Sequence, residues 1–263
     1  MNTLALSLLA ASACLVITSA APAATIACDD FAAPTYTIGA DAYPAGGTGP
    51  NSGFGWTTGW NGSSGFNITA PRTIAAALTY PGLATTGDAA ASPAYVGAGT
   101  NSTAVRGFTA PTAAPLWVSF LIQLNDNAVM ANANSAGNYG GIALIDAAGS
   151  HFLYMGIPGG ATGYSLQTNA AIAPHGAAVP AAGKTDLLVM HIGIKQNAQL
   201  WVDPPLGQPL GTPDAIIALP LPASAYDHLY WSDSWGWTYS HLRIGTSLAA
   251  VTPGRPGHPA CAK

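Results

Sequence analysis

The chain has 263 residues and few charges: seven Lys or Arg, eleven acidic residues that are all aspartate, and a net charge of −4. Phosphate backbones and anionic membrane surfaces are bound by clusters of Lys and Arg, and the sequence has no such cluster. We therefore expect neither nucleic-acid binding nor membrane insertion. The absence of Glu and the shortage of Lys also disfavour long surface helices.

The first 23 residues have the pattern of a signal peptide. An apolar run from Leu4 to about Ile17 is followed by small residues and an Ala-x-Ala cleavage pattern at Ala21–Ala23. A membrane-spanning helix is the alternative, but it would need about 20 apolar residues. We predict that residues 1–23 are a secretion signal, that residues 24–263 form one β-sandwich domain, and that the protein is secreted to the periplasm or the medium.

Two cysteines remain after such cleavage, Cys28 and Cys261, near opposite ends of the chain. In an oxidising compartment they predict one disulfide that joins the first and last parts of the domain. In the chain-entropy model, closing a loop of about 230 residues stabilises the fold by at most about 5 kcal/mol. Two unconnected thiols are the alternative.

Alternation with a period of two residues predicts strands along most of the chain. In residues 115–124 the apolar positions on one face are Leu116, Val118, Phe120, Ile122 and Leu124. Three hairpins are predicted: residues 140–149 with 151–159, residues 185–194 with 198–204, and residues 225–231 with 237–245 around a turn at Asp233–Gly236. The Gly/Ala/Pro-rich stretch 159–183 is predicted to be a loop. This pattern is typical of an all-β, antiparallel β-sandwich.

The order of several motifs resembles a known family. They are "CDDFAAPTY", "GFGWTTGWNG", "ALTYPGLATTGDAA", "APLWVSFLIQL", "YGGIALIDAAG", "LWVDPPLGQPLGTPDA" and "SHLRIGTSLAAVTP". Together they resemble the secreted bacterial concanavalin A-like, laminin G-like jelly-roll proteins that often carry PEP-CTERM sorting tails. The resemblance covers about residues 29–253 and implies a jelly-roll sandwich. No sorting tail follows the last motif, so we expect release rather than tethering.

We expect no cofactor. The resemblance implies acidic residues just before the last-strand "LRIG" motif, on the side where a structural calcium is sometimes bound, but Ser240 and His241 occupy these positions. Asp29 and Asp30 alone offer too few oxygens for a cation that takes six or more. A structural calcium is therefore an alternative that the sequence disfavours.

The catalytic chemistries common on such folds lack their residues, so we predict no catalytic residue. A two-carboxylate glycosidase normally uses strand glutamates, and the chain has none. No G-x-S-x-G elbow is present for a serine hydrolase. A polysaccharide lyase or other carbohydrate-active enzyme remains the alternative, with its base, acid and cation drawn from Tyr239, His191, His241 and Arg243.

Aromatic residues favour binding, because sugars place C–H faces on aromatic rings and pair their hydroxyls with polar side chains. A hairpin turning at residues 233–236 would leave one row of the last strand open to solvent, with Leu242 and Ile244 in the core. The predicted ligand-binding residues are Trp56, Trp60, Asn61, Trp231, Trp235, Trp237, Tyr239, His241 and Arg243. The alternative is that a loop covers this row and makes a second small core.

The leading hypothesis is a secreted, lectin-like, non-catalytic domain that recognises an extracellular or cell-surface polysaccharide. An open aromatic row would favour this binding function. A groove with convergent Tyr, His and Arg would favour the lyase, and a fully covered row would favour a structural surface or matrix protein.

Overall fold

The computed structural model describes residues 24–31, 53–60, 72–74, 77–94, 102–112, 115–131, 139–174, 176, 178–193, 197–254 and 261. The predicted signal peptide, residues 1–23, lies outside the described residues. Within the described ranges, no helix is long and apolar enough to cross a membrane.

The described residues form two antiparallel sheets. The larger sheet has eight strands in the order β11 (Ala215–Ala218), β10 (Asn197–Val202), β9 (Thr185–Ile192), β5 (Leu116–Leu124), β13 (Trp237–Gly245), β3 (Ala89–Ala91) and β2 (Arg72–Ile74), with β1 (Thr25–Asp29) also paired to β13. The smaller sheet has five strands in the order β4 (Ser102–Gly107), β12 (Tyr226–Asp233), β6 (Gly140–Asp146), β7 (Phe152–Ile157) and β8 (Ser165–Thr168). Short helices α1 (Ala128–Ala131) and α2 (Leu248–Val251) and a 3₁₀ turn (Ala223–Ala225) complete them. The predicted all-β, antiparallel β-sandwich is confirmed.

Two apolar layers hold the strands together. The main core lies between the sheets and contains the predicted β5 row, Leu116, Val118, Phe120, Ile122 and Leu124. A second, smaller core lies on the outer face of the larger sheet, where residues 77–89 and α2 cover Leu121, Leu187 and Val189. The outer residues of β5 are therefore buried or half-buried as well, because this part of the larger sheet is covered on both faces.

The first two predicted hairpins are confirmed, and the third is wrong. Strand β6 pairs with β7, and β9 pairs with β10. Strand β12, however, lies between β4 and β6 in the smaller sheet, whereas β13 lies in the larger sheet. Residues 234–236 therefore form an arch that connects the two sheets. A hairpin and an arch share the strand–turn–strand pattern, and only the choice of pairing partner distinguishes them. The stretch 159–183 also contains a strand, β8, where a loop was predicted.

The predicted disulfide between Cys28 and Cys261 is confirmed. The two Cα atoms lie 5.6 Å apart although the residues are 233 positions apart in sequence. Strand β1 pairs with β13, which places Cys28 opposite Arg243. The disulfide therefore ties residue 261 to the first strand of the larger sheet.

Candidate functional site

The predicted open row on β13 is divided between the two faces of the strand. Trp237 and Tyr239 are buried in the main core. The pairing with β5 then shifts at a bulge, where His241 has φ of 59°. A bulge inserts one residue and reverses the alternation, so Leu242 and Ile244 also point into the main core. The open row is therefore wrong.

His241 and Arg243 are buried as well, at 1% and 3% exposure. The Nε2 atom of His241 donates to the carbonyl oxygen of Ala84, 2.6 Å away, in the segment that covers this face. Burial, helped by the nearby charge of Arg243, lowers the pKa of His241 to about 4, so its imidazole is neutral at pH 7. Burial also lowers the pKa of Arg243. A covered row is the arrangement that the sequence analysis expected of a structural surface or matrix protein.

Trp56 and Trp60, in the segment of residues 53–60 that follows β1, also have structural contacts. Trp60 is fully buried, and its Nε1 donates to Oδ2 of Asp29 at 3.1 Å. Arg106 forms a buried ion pair with the same carboxylate at 2.5 Å, and its guanidinium lies 4.5 Å from the ring centroid of Trp56. The Nε1 of Trp56 donates to the carbonyl oxygen of Cys28 at 2.9 Å. Asp29 is thus already neutralised by Arg106, and no cluster of three or more His, Cys or Asp that could hold a metal exists among the described residues.

The structure does bring Trp60 together with aromatic residues of β12 and β13, but inside the core. The ring of Trp231 lies 6.2 Å from that of Trp60 and 4.2 Å from that of Tyr239, both edge to face. Trp235 is half-buried. Asn61 lies outside the described residues. Ligand binding by this predicted set stays a prediction, and the burial of most of its members does not support it.

The four residues considered for a lyase do not meet in one groove. Tyr239 points into the main core, whereas His241 and Arg243 lie beneath the covering segment on the other face. His191 lies on β9, where its ring stacks on Trp117 with centroids 4.3 Å apart. No acid–base pair with a neighbouring cation is therefore formed by these four.

A different surface has the shape of a ligand site. A pocket of about 550 Å³ lies on the outer face of the smaller sheet. Its lining residues are Tyr139, Ala143, Ile145, Gly149, Phe152, Tyr154, Pro158, Gly159, Gln167, Tyr230 and Ser232. Most of them come from β12, β6, β7 and β8.

The pocket is hollow because the central strand β6 carries small residues on this face. Ala143 lies directly between Tyr230 on β12 and Tyr154 on β7. Gly141, one position along the same face, must be glycine because a Cβ atom there would lie 2.3 Å from the carbonyl oxygen of Met155. Alternation places Ile142 and Leu144 in the main core, so strand β6 contributes to both the core and the pocket floor.

The polar groups of the pocket are few and uncharged. The hydroxyl of Tyr154 donates to the carbonyl oxygen of Ser232 at 3.1 Å. Burial raises the pKa of Tyr154 well above its usual value, so it remains neutral. In the described part of the chain, the amide of Gln167 and the hydroxyls of Ser232 and Tyr230 have no hydrogen-bond partner. Of the lining residues that the structure describes, none is Asp, Lys, Arg or His.

Sequence reasoning missed this site. Its missed members are Tyr139, Phe152, Tyr154, Gln167, Tyr230 and Ser232. A signal was present, because Phe152, Tyr154 and Tyr230 occupy the outward positions of strands that were correctly identified. Tyr154 and Tyr230 lie opposite the small Ala143 of β6. The sequence does not show that β12 and β6 are adjacent strands, because Tyr230 and Ala143 are neighbours only through sheet pairing.

No protein-family model matches the chain, and no curated protein matches it. Among solved structures, a mucin-degrading endo-acting O-glycanase from the human gut microbiota has a TM-score of 0.46 at 12% identity, covering 85% of this chain and 99% of that one. The globular domain of T. cruzi calreticulin has a TM-score of 0.44 at 15% identity, covering 76% and 88%. The lumenal domain of VIP36 has a TM-score of 0.40 at 10% identity, covering 65% and 84%. The chain is similar to these proteins only at TM-scores below 0.5, so no function is transferred, and the resemblance to the PEP-CTERM-associated type stays a prediction.

Proposed function

We propose that this protein is a secreted, non-catalytic carbohydrate-binding domain, and that the pocket on the smaller sheet binds a neutral sugar unit of an extracellular polysaccharide. One observation carries the proposal: among the described residues, the pocket combines aromatic walls, small residues on its floor and polar groups without hydrogen-bond partners, and none of its lining side chains is charged.

The chemistry of this lining suits a neutral sugar. A pyranose ring presents an apolar C–H face, which gains contact area on Tyr230 or Phe152, while its hydroxyls can pair with Gln167 and Ser232. The volume of about 550 Å³ lies within the range of small-molecule sites. A uronate carboxylate would lose its hydration here without meeting a cation, which disfavours anionic polysaccharides.

The same lining favours binding over catalysis. Acid–base cleavage of a glycan requires a pair of groups that can exchange protons near neutral pH, usually carboxylates or a histidine. The titratable side chains that line the pocket are tyrosines. The disulfide between Cys28 and Cys261 supports secretion, because such bonds persist in oxidising compartments.

The proposal is tested by incubating the purified protein with β-glucan, mannan and xylan, and with alginate and polygalacturonate as anionic controls. Protein depletion and new reducing or unsaturated ends are recorded from the same tubes. We expect depletion by at least one neutral polysaccharide and no new ends. Binding confined to the anionic polymers, or the appearance of new ends, would contradict the proposal.

A matched pair of variants assigns binding to the pocket. Phe152→Ala removes a pocket wall, and Phe54→Ala removes a phenylalanine that is 48% exposed but outside the pocket lining. We expect Phe152→Ala to weaken binding about tenfold, and Phe54→Ala to leave it unchanged. Equal affinities for the two variants would place binding elsewhere.

A further inference from the structure

We propose that Asp233 is a positioning residue for the pocket. It fixes the arch at residues 234–236 and holds Tyr139 and Tyr154 in place through its two sequence neighbours. Ligand affinity therefore depends on whether Asp233 is ionised. This inference rests on the proposed function of the pocket.

Asp233 holds the arch in its conformation. Its side chain is fully buried, with Oδ2 accepting from Nε1 of Trp231 at 2.6 Å and Oδ1 accepting from the backbone N–H of Trp235 at 2.9 Å. Trp235 and Gly236 have φ of 55° and 82°. A bulky residue adopts a positive φ only when its surroundings enforce it. The carboxylate that binds the Trp235 N–H supplies such a constraint.

The residues on either side of Asp233 each hold a tyrosine of the pocket. Ser234 donates both its backbone N–H and its hydroxyl to the carbonyl oxygen of Tyr139, at 2.8 and 2.9 Å. The carbonyl oxygen of Ser232 accepts from the hydroxyl of Tyr154 at 3.1 Å. Ser234 lies in the arch, so a change in the arch is transmitted directly to Tyr139. Ser232, the other neighbour of Asp233, holds Tyr154 from the end of β12.

Asp233 changes its charge near neutral pH. Burial raises its pKa to about 7, and the hydrogen bonds from Nε1 of Trp231 and from the Trp235 N–H oppose this increase. The titratable side chains facing it are Tyr239 on β13 and Tyr154 on β7, and both remain neutral because burial raises their pKa values well above the usual one.

Protonation changes the strength of the arch contacts. An ionised carboxylate accepts hydrogen bonds roughly twice as strong as those of a neutral acid. Protonation of Asp233 therefore weakens its hydrogen bond from the Trp235 N–H. The hydrogen bonds from Ser234 to the carbonyl oxygen of Tyr139 weaken with it. We expect the pocket to bind more tightly when Asp233 is ionised.

The first test needs no ligand. In ¹H–¹⁵N NMR spectra between pH 5.5 and 8.5, we expect the amides of Ser234 and Trp235 and the indole N–H of Trp231 to shift with one midpoint near 7. In Asp233→Asn this midpoint should disappear. A Ser234 amide that does not titrate, or a midpoint that persists in the variant, would overturn the inference.

The second test measures affinity for cellohexaose, mannohexaose and xylohexaose by calorimetry. We expect the hexasaccharide that binds to do so at least about fivefold more weakly at pH 6 than at pH 8, and this difference to vanish in Asp233→Asn. Ser234→Ala, which removes one of the two bonds to Tyr139, should weaken binding but keep the midpoint. It also keeps the test decisive if Asp233→Asn does not fold.

The outcomes separate this inference from the function on which it rests. Binding whose strength is the same at pH 6 and pH 8 overturns the role of Asp233 and leaves the binding function standing. Absence of binding at every pH, while the arch amides still titrate together, rejects the binding function for these sugars and supports the hold of Asp233 on the arch.

Discussion

Tyr230 and Trp231 are adjacent residues of β12 with opposite environments. Trp231 points between the sheets, where it is 1% exposed and contacts the rings of Phe31, Trp60 and Tyr239. Tyr230 points outward and lines the pocket opposite Ala143. The inner ring is surrounded by other rings, whereas the outer ring faces a small residue that leaves space beside it.

Aromatic density alone therefore does not identify a binding surface. The densest aromatic stretch, residues 230–241, contributes mostly to the core, and only Tyr230 and Ser232 of it line the pocket. A site forms where aromatic residues flank small ones on an uncovered face.

The two neighbours should differ most in stability. Trp231→Ala should lower the free energy of unfolding by about 3–5 kcal/mol, because it leaves a cavity in the core and removes a donor to the buried Asp233. Tyr230→Ala should lower it by under about 1 kcal/mol, since the side chain is half-exposed. Urea denaturation measures both, and similar losses in the two variants would contradict the inner and outer assignments.

The buried carboxylate should change how stability varies with pH. The folded-state pKa of Asp233 is about 7 and its usual value is 3.8, so its stabilising contribution is complete below pH 4 and is lost as pH rises through 7. Three units correspond to about 4 kcal/mol. His241, with a pKa lowered to about 4, has the opposite slope between pH 4 and 6.5 and masks this loss in the wild type.

The comparison of Asp233→Asn with the wild type isolates the Asp233 effect, because the slope from His241 is common to both. The variant's free energy of unfolding, relative to the wild type, should increase by about 4 kcal/mol between pH 4 and pH 8. Denaturant titrations at four or five pH values measure it. A difference that does not vary with pH would show that Asp233 is ionised throughout.

Tyr230→Ala should weaken glycan binding about tenfold, close to 1.4 kcal/mol, because a stacking surface is lost. Tyr230→Phe keeps the ring and should retain most of the affinity. Calorimetry with the polysaccharide that binds the wild-type protein distinguishes the two variants. If Tyr230→Phe loses as much as Tyr230→Ala, the hydroxyl rather than the ring is the contact.

Gln167→Ala should have the smallest effect, a loss of about fivefold in affinity, which corresponds to one neutral hydrogen bond of about 1 kcal/mol. Gln199, half-buried on the outer face of the larger sheet, offers a matched control as Gln199→Ala. Unchanged binding in Gln167→Ala would remove this amide from the site.

The fold was more predictable than the site, for a local reason. The alternation of apolar residues predicted β5, β6, β7 and β9 as strands, and for β5 it also predicted the buried face correctly. The row on β13 failed because one extra residue at His241 reverses the alternation, and the sequence "YSHLRIG" contains nothing that marks the bulge. Trp237 and Tyr239 could therefore share the core with Leu242 and Ile244, which an unbroken period of two forbids.

The amino-acid sequence by itself determined the all-β class, the closure by Cys28 and Cys261, and the lack of a glutamate pair for hydrolysis, because composition and short-range periodicity are enough for these. Only the packed fold shows that β12 and β13 belong to different sheets, that the segment containing Ala84 covers His241, and that Tyr230, Ala143 and Tyr154 meet at one pocket. Sheet partners are chosen by the packing of residues that are distant in sequence. A local pattern therefore shows that a side chain points away from the core, but it does not show which other side chains will lie beside it.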